Sequence, residues 1–190
     1  MVALGSRGGT VPIALQYFYS LVNRDIEDEH LPLAADSGLG VVPWSPLAYG
    51  LLTGKYVQTA IDAVDPREGA ASSASRLDGP NPFGDTLFTD RNWRIVDALR
   101  AVAGEMNLPP ALVALAWVMG RPGITSTLLG ASRADQVTEN VRALQVQLSL
   151  EQRATLDAVS ANEPRMLYTL FAPPLRDKAI FGGNTVTGWR

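Results

Sequence analysis

Gly38-Leu39-Gly40-Val41-Val42-Pro43-Trp44-Ser45-Pro46-Leu47-Ala48-Tyr49-Gly50-Leu51-Leu52-Thr53-Gly54-Lys55-Tyr56 is the stretch on which the reading of this chain turns. Gly40 to Trp44 is a short β-branched run ending in a large aromatic, the pattern of a buried parallel strand. Ser45 to Gly50 follows as a loop of small residues, hydroxyls and free backbone amides. Leu51 to Tyr56 then leads away, with the Lys55 cation within reach of that loop. A strand whose carboxyl end opens into such a loop is where α/β proteins place their ligands.

Upstream, Val11 to Gln16 reads as a short buried strand ending in a polar residue, with Tyr17 to Leu21 as an aromatic loop. A helix is expected after Arg24 or Asp25, with Glu27, Asp28 and Glu29 at its positive end and Gly38 closing it. Pro32 marks a break or a first-turn position. Strand, helix and strand in so few residues make a βαβ unit, whose two strands run parallel.

Downstream, periodicity disappears from Val57 to Asp85, where serine, glycine and proline mark a long loop. Thr89 or Asp90 caps a helix to about Met106, with Val96, Leu99, Ala103 and Met106 as its buried stripe. Pro109-Pro110 restarts the chain, and Ala111 to Met119 is apolar nearly all round, a well-buried helix ended by Gly120. Ile124 to Gly130 reads as another strand. Ser132 to Asp135 matches a capping box, with Val137, Val141 and Leu144 on the helix behind it. A second box, Ser149 with Gln152, opens a helix to about Ser160, and from Asn162 the chain reads as an irregular tail.

The 190 residues are enough for one domain with a substantial core, and hydrophobic content of 46% is that of a globular chain. A net charge of -3 gives no electrostatic footprint for nucleic acid or an anionic membrane. With no cysteine there are no disulfides and no thiolate ligands. The longest apolar run, Ala111 to Met119, falls short of the ~20 residues that span a bilayer, and Met1 to Pro12 lacks a secretory core. A soluble, cytoplasmic protein is expected.

The candidate chemistry gathers at one sheet end. The helix begun by Ser132 offers free amides, Arg133 adds a cation, and its start lies at the same end as the Ser45 loop, so a phosphate could bridge the two. Trp44 is either a core plug or a stacking platform for a planar ring. Gln16 is either a satisfied loop amide or a partner for a ligand amide. Together they describe an elongated site for a molecule with a ring, an amide and phosphates. His30, the one histidine, belongs to a solvated acidic helix face, so metal sites and a serine nucleophile at Ser45 or Ser132 find no support. Glu27 to Glu29 is read as dipole complement and solubility.

The wording of the chain resembles that of the aldo-keto reductases. Gly38 to Tyr56 is similar to their seventh-strand signature, and Gln16 to Arg24 with Glu27 and Glu29 to their sixth-strand segment. Ser75-Arg76-Leu77 and Thr89 to Trp93 resemble the loop and helix that follow. Leu129 to Arg133, then Gln136, Glu139 and Asn140, resemble the eighth-strand cofactor motif. The resemblance implies an α/β fold, a partial (β/α)8 TIM barrel made of roughly the last three strands with their helices and a C-terminal tail. Residues 1–190 would be a single incomplete domain, the C-terminal part of a barrel that needs roughly 250 residues.

It further implies NADPH bound across the C-terminal face. Gln16 would hold the nicotinamide carboxamide and Trp44 would stack on the ring; Ser45, Pro46, Leu47 and Lys55 would line the pyrophosphate. Arg76, Ser132 and Arg133, next to Gly130, would take the ribose 2′-phosphate, and Gln136, Glu139 and Asn140 the adenosine end. The family reduces carbonyls by hydride transfer with a Tyr proton donor, a Lys, an Asp and a His from earlier strands, none of which has a counterpart here. The expectation is an NADP(H) site without catalytic residues and without metal. A small-molecule carbonyl substrate would be turned over only if the missing part were supplied, and open strand edges would invite oligomers. The alternative is a non-catalytic nucleotide-binding or interaction module derived from the same fold.

Overall fold

The computed structural model describes residue 5 and residues 7–56, 84–170 and 172–184. Arg76, and nearly all of the long loop expected from Val57 to Asp85, lie outside the described residues.

Strand β1 is Ala14–Phe18 and strand β2 is Gly40–Trp44. They pair in parallel, with Ala14 opposite Gly40, Gln16 opposite Val42 and Phe18 opposite Trp44. The expected strand from Val11 to Gln16 is thus shifted. Pro12 has no N–H to give a ladder, Val11 and Ile13 are exposed, and the buried side of the alternation starts at Leu15 and Tyr17. Gln16 therefore sits in mid-strand, and Tyr17 and Phe18 belong to the strand and not to a loop.

Between the strands, a 3-10 turn at Asp25–Glu27 precedes helix α1, His30–Ser37. Pro32 falls in its first turn, where a missing N–H costs nothing. Gly38 closes it at φ 67, its N–H donating to the Ala34 carbonyl. His30 is not on a solvated face: it is half-buried with its ring 4.3 Å from that of Tyr17.

Helix α2, Asp90–Glu105, starts on a Thr89 cap that accepts the Asn92 N–H, and buries Val96, Leu99 and Ala103 as expected. Helix α3, Pro110–Met119, carries proline in its first turn, ends at Gly120 and is buried from Leu112 to Val118. The two meet at a 100° bend, and among the described residues no single helix is long and apolar enough to cross a membrane. Helix α4 is Ala134–Val141, and helix α5, Leu150–Val159, forms the expected Ser149/Gln152 capping box. The core joins α2, α3 and α5 to Tyr19, Leu21, Val41, Leu51 and Leu52.

Two expectations fail in this half. Ile124 to Gly130 does not form a regular strand. Thr125 and Ser126 both donate to the Val41 carbonyl, at 2.9 and 3.5 Å, and the Pro43 carbonyl is met by Leu128 at 2.8 Å. Two carbonyls two residues apart are thus met by amides three residues apart, the signature of a β-bulge. The Val41 N–H goes to the Thr125 hydroxyl at 3.2 Å, leaving one isolated bridge between Val41 and Ile124. Nor does Ser132 open a capping box. The cap position is Arg133, without a side-chain bond, and Ser132 donates through N–H and Oγ to Gln136 Oε1. Val137, Val141 and Leu144 face solvent.

Glu27 does more than complement a helix dipole. Its carboxylate receives Arg24 at 2.8 and 3.0 Å, Arg121 at 3.2 Å and the Tyr19 hydroxyl at 2.5 Å. Arg24 continues to Ser160 Oγ and Asp157 O, and Arg121 to the Asp157 carboxylate, with both guanidiniums over the Trp117 ring. This network joins the turn after β1 to α3 and α5. The tail from Asn162 folds into short helical turns, held by Arg165 to Asp25 and Tyr168 to Glu29.

Candidate cofactor site

The carboxyl end of β2 delivers Trp44 into a loop built against backbone preference. Ser45, Ala48 and Tyr49 take left-handed φ values of 51°, 46° and 56°, followed by Gly50 at 98° and Gly54 at 78°. A non-glycine residue there costs about 1–2 kcal/mol, and such strain persists only where the surroundings over-determine it. Here Ala48, Leu51 and Leu52 are fully buried, and Arg100 from α2 donates to the Gly54 and Tyr56 carbonyls at 2.9 and 2.6 Å. The loop is therefore anchored on its inner side. Its outer side presents Ser45, Pro46, Leu47 and Lys55.

Facing it across a trough of about 910 Å³ are Gly130 and the start of α4. The α4 side presents Ser132, Arg133, Gln136, Glu139 and Asn140. Every candidate residue read from the sequence that is among the described residues lines this one trough, except Gln16. Gln16 is exposed in mid-strand on the sheet face that carries Trp44, because Gln16 opposes Val42 and Phe18 opposes Trp44. It thus shares a face with the indole without reaching the trough wall.

The charges divide unequally. Lys55 is exposed, lies 4.9 Å from the Tyr56 ring centre and has no carboxylate partner among the described residues. Arg133 is held by Asp135, with Nε and Nη2 each 3.1 Å from a carboxylate oxygen. That hydrogen bond raises the guanidinium pKa and lowers that of the carboxyl. Glu139 is engaged by Arg142 at 2.8 Å. The cap residue of α4, Arg133, makes no side-chain cap bond, and in the first turn the Asp135 carboxylate accepts the backbone N–H groups of Asp135 and Gln136. Among the described residues no group of three or more His, Asp or Glu could hold a metal ion.

Sequence reasoning missed Tyr49, Thr53 and Asp135, which also line the trough. The Tyr49-Gly50 pair within a loop was the available signal, since glycine beside a bulky residue marks a tight turn. Phe18 was placed in a loop, yet its ring lies 5.1 Å from that of Trp44.

The parallel strands end in a strained loop opposite the start of a helix, and the carboxyl end of such strands is where α/β folds place their ligand sites. The comparisons with known proteins narrow this to a family. The model of the Aldo/keto reductase family matches residues 2–161. A probable voltage-gated potassium channel subunit beta of Oryza sativa subsp. japonica is 34% identical over 157 residues, 81% of this chain and 45% of the relative. The uncharacterized oxidoreductase YrpG of Bacillus subtilis is 32% identical over 136 residues, 72% of this chain and 36% of its own. The uncharacterized oxidoreductase Rv2298 of Mycobacterium tuberculosis is 32% identical over 171 residues, 90% of this chain and 49% of its own. This chain belongs to the aldo/keto reductase family, and it spans less than half the length of each of these relatives.

Proposed function

We propose that the chain supplies the cofactor side of an NADPH-dependent carbonyl/alcohol oxidoreductase, as roughly the last three strands of a (β/α)8 barrel whose single domain is incomplete in residues 1–190. The observation that carries this reading is the trough, which sets the Trp44–Lys55 loop opposite the Gly130–Asn140 segment. The donor set fits a nicotinamide dinucleotide phosphate: an indole face, an exposed carboxamide on the same sheet face, and an exposed lysine with no carboxylate partner among the described residues. Bound there, the cofactor would supply hydride to a carbonyl carbon.

The chain's own residues bind and orient. Trp44 offers its ring to the nicotinamide, and the Gln16 carboxamide lies on the side from which it can meet the nicotinamide amide. Lys55, with Ser45, Pro46 and Leu47, neutralises and lines the pyrophosphate. Ser132 and Arg133, with Arg76, take the 2′-phosphate, for which Arg133 exchanges its Asp135 partner. Gln136, Glu139 and Asn140 address the adenosine.

No residue of this chain takes the part of the proton-donating tyrosine or of its Lys, Asp and His companions, so the chain alone is expected to reduce no carbonyl. Fluorescence titration of the purified 190-residue chain with NADPH tests the reading, beside an assay of NADPH oxidation with a panel of aldehydes. Saturable binding, weakened about fivefold in Lys55→Met, with no oxidation, is the expected result. Absence of binding overturns the cofactor assignment, and oxidation overturns the inactivity.

One observation favours a second reading, a non-catalytic nucleotide-binding or interaction module. Val141 and Leu144, which with Val137 form an exposed apolar stripe, line a groove of about 440 Å³ together with Leu115, Met119 and Ile124. Such a face suits a protein partner or a second copy of the chain.

A further inference from the structure

We propose that Tyr49 is a positioning residue which, with Phe18, fixes the plane of the Trp44 indole against which a flat ring of the ligand rests. The proposal rests on the reading above in one respect, that Trp44 is the ring platform of the trough.

Three rings meet at this point. Phe18 lies 5.1 Å from Trp44 at 34°, Tyr49 lies 6.4 Å from Trp44 at 82°, and Phe18 and Tyr49 are 6.1 Å apart. Trp44 and Tyr49 line the trough, whereas Phe18 does not, so Phe18 backs the indole and Tyr49 flanks it. The two contacts have different origins. Phe18 is the cross-strand partner of Trp44 and reaches it by register alone. Tyr49 reaches it only because its backbone is left-handed, at φ 56 and ψ 19. Ordinary backbone geometry would point the ring elsewhere.

Glycine is the residue that fits such a backbone, and Gly50 follows at once, so a tyrosine here stands against conformational preference. Its ring, in contact with the indole, is what the position holds. An indole confined on two sides keeps one orientation, and a stacking ligand then loses less side-chain freedom on binding. An offset or edge contact of this kind supplies the restraint.

The experiment uses the full chain with 5-fluorotryptophan incorporated, the Trp44 fluorine resonance being assigned through Trp44→Phe. Tyr49→Gly keeps the left-handed backbone and removes the ring; Tyr49→Phe keeps the ring; Phe18→Leu removes the backing ring while keeping bulk. The expected result is a shifted or broadened Trp44 resonance in Tyr49→Gly and Phe18→Leu. NADPH binding, read by titration of the same signal, should weaken about fivefold in both variants and largely recover in Tyr49→Phe.

An unmoved Trp44 resonance in Tyr49→Gly overturns the proposal, because a purely structural Tyr49 is replaced by glycine without consequence for the indole. A moved resonance with unchanged NADPH affinity overturns it as well. If the unsubstituted chain binds no NADPH, the cofactor reading fails, and the resonance alone decides whether Tyr49 and Phe18 hold the indole.

Discussion

At the scale of single residues the densest chemistry lies outside the trough, in the Tyr19, Arg24, Glu27, Arg121 and Asp157 network. Burial is the largest influence on Glu27 and pushes its pKa up, but the hydrogen bonds from Arg24 and Tyr19 and the charges of Arg24 and Arg121 outweigh it, so the carboxyl is held below its usual range. Burial, and then the bond to Glu27, push the Tyr19 hydroxyl above its ordinary value. The folded pKa of Glu27 is thus below the unfolded one. Its stabilising effect is complete above the ordinary carboxylate value of about 4.3 and is lost as acid takes the pH through the depressed value. Urea midpoints measured between about pH 3 and about pH 7 should fall on the acid side, and the fall should be shallower in Glu27→Gln. That substitution also removes the carboxylate nearest Arg24 and leaves Asp157 as the remaining anion of both guanidiniums, and it is expected to cost about 3 kcal/mol at neutral pH. The run Glu27-Asp28-Glu29 gave no sign of this, because burial of Glu27 depends on Arg121 and Trp117, roughly ninety residues away in sequence.

At the scale of elements, legibility followed how local the cause was. Strand β2, helix α3 and the start of α5 stand where the residues place them, because a β-branched run, a proline-opened apolar run and a Ser-x-x-Gln box act within one turn or one strand. Strand β1 slipped because its ends depend on β2, and the box at Ser132 failed because Gln136 captured the serine first. These two boxes make opposite predictions. Ser149→Ala should destabilise the chain by about 1 kcal/mol, since it removes a cap that the Gln152 N–H uses. Ser132→Ala should stay within about 0.5 kcal/mol. Thermal or urea melts of the two variants, side by side, check the contrast. The trough was legible as a set of residues, since the loop and the α4 motif each carry their own pattern. The strained backbone of Ser45, Ala48 and Tyr49 was not, because nothing but glycine announces a left-handed position.

At the scale of the whole molecule, the sheet of two regular strands leaves the far side of the bulged segment unmatched by any strand among the described residues. Beside it, Leu144 is 70% exposed and Val137 and Val141 about half exposed, so a charge there costs the isolated chain little. Val141→Lys is expected to change stability by less than about 0.5 kcal/mol while reducing self-association in sedimentation runs. An unchanged sedimentation profile would show that this face does not join copies. The bulge opposite Val41 and Pro43 also takes up one surplus residue on the way from the sheet to α4. Thr125 and Leu128 already sit on the two carbonyls, so the extra residue is absorbed between them and advances nothing beyond. Deleting Ser126 would bring those two amides two places apart, an even ladder, with Gly130, Ser132 and Arg133 still set across from the loop. The trough would outlive the irregularity that leads into it.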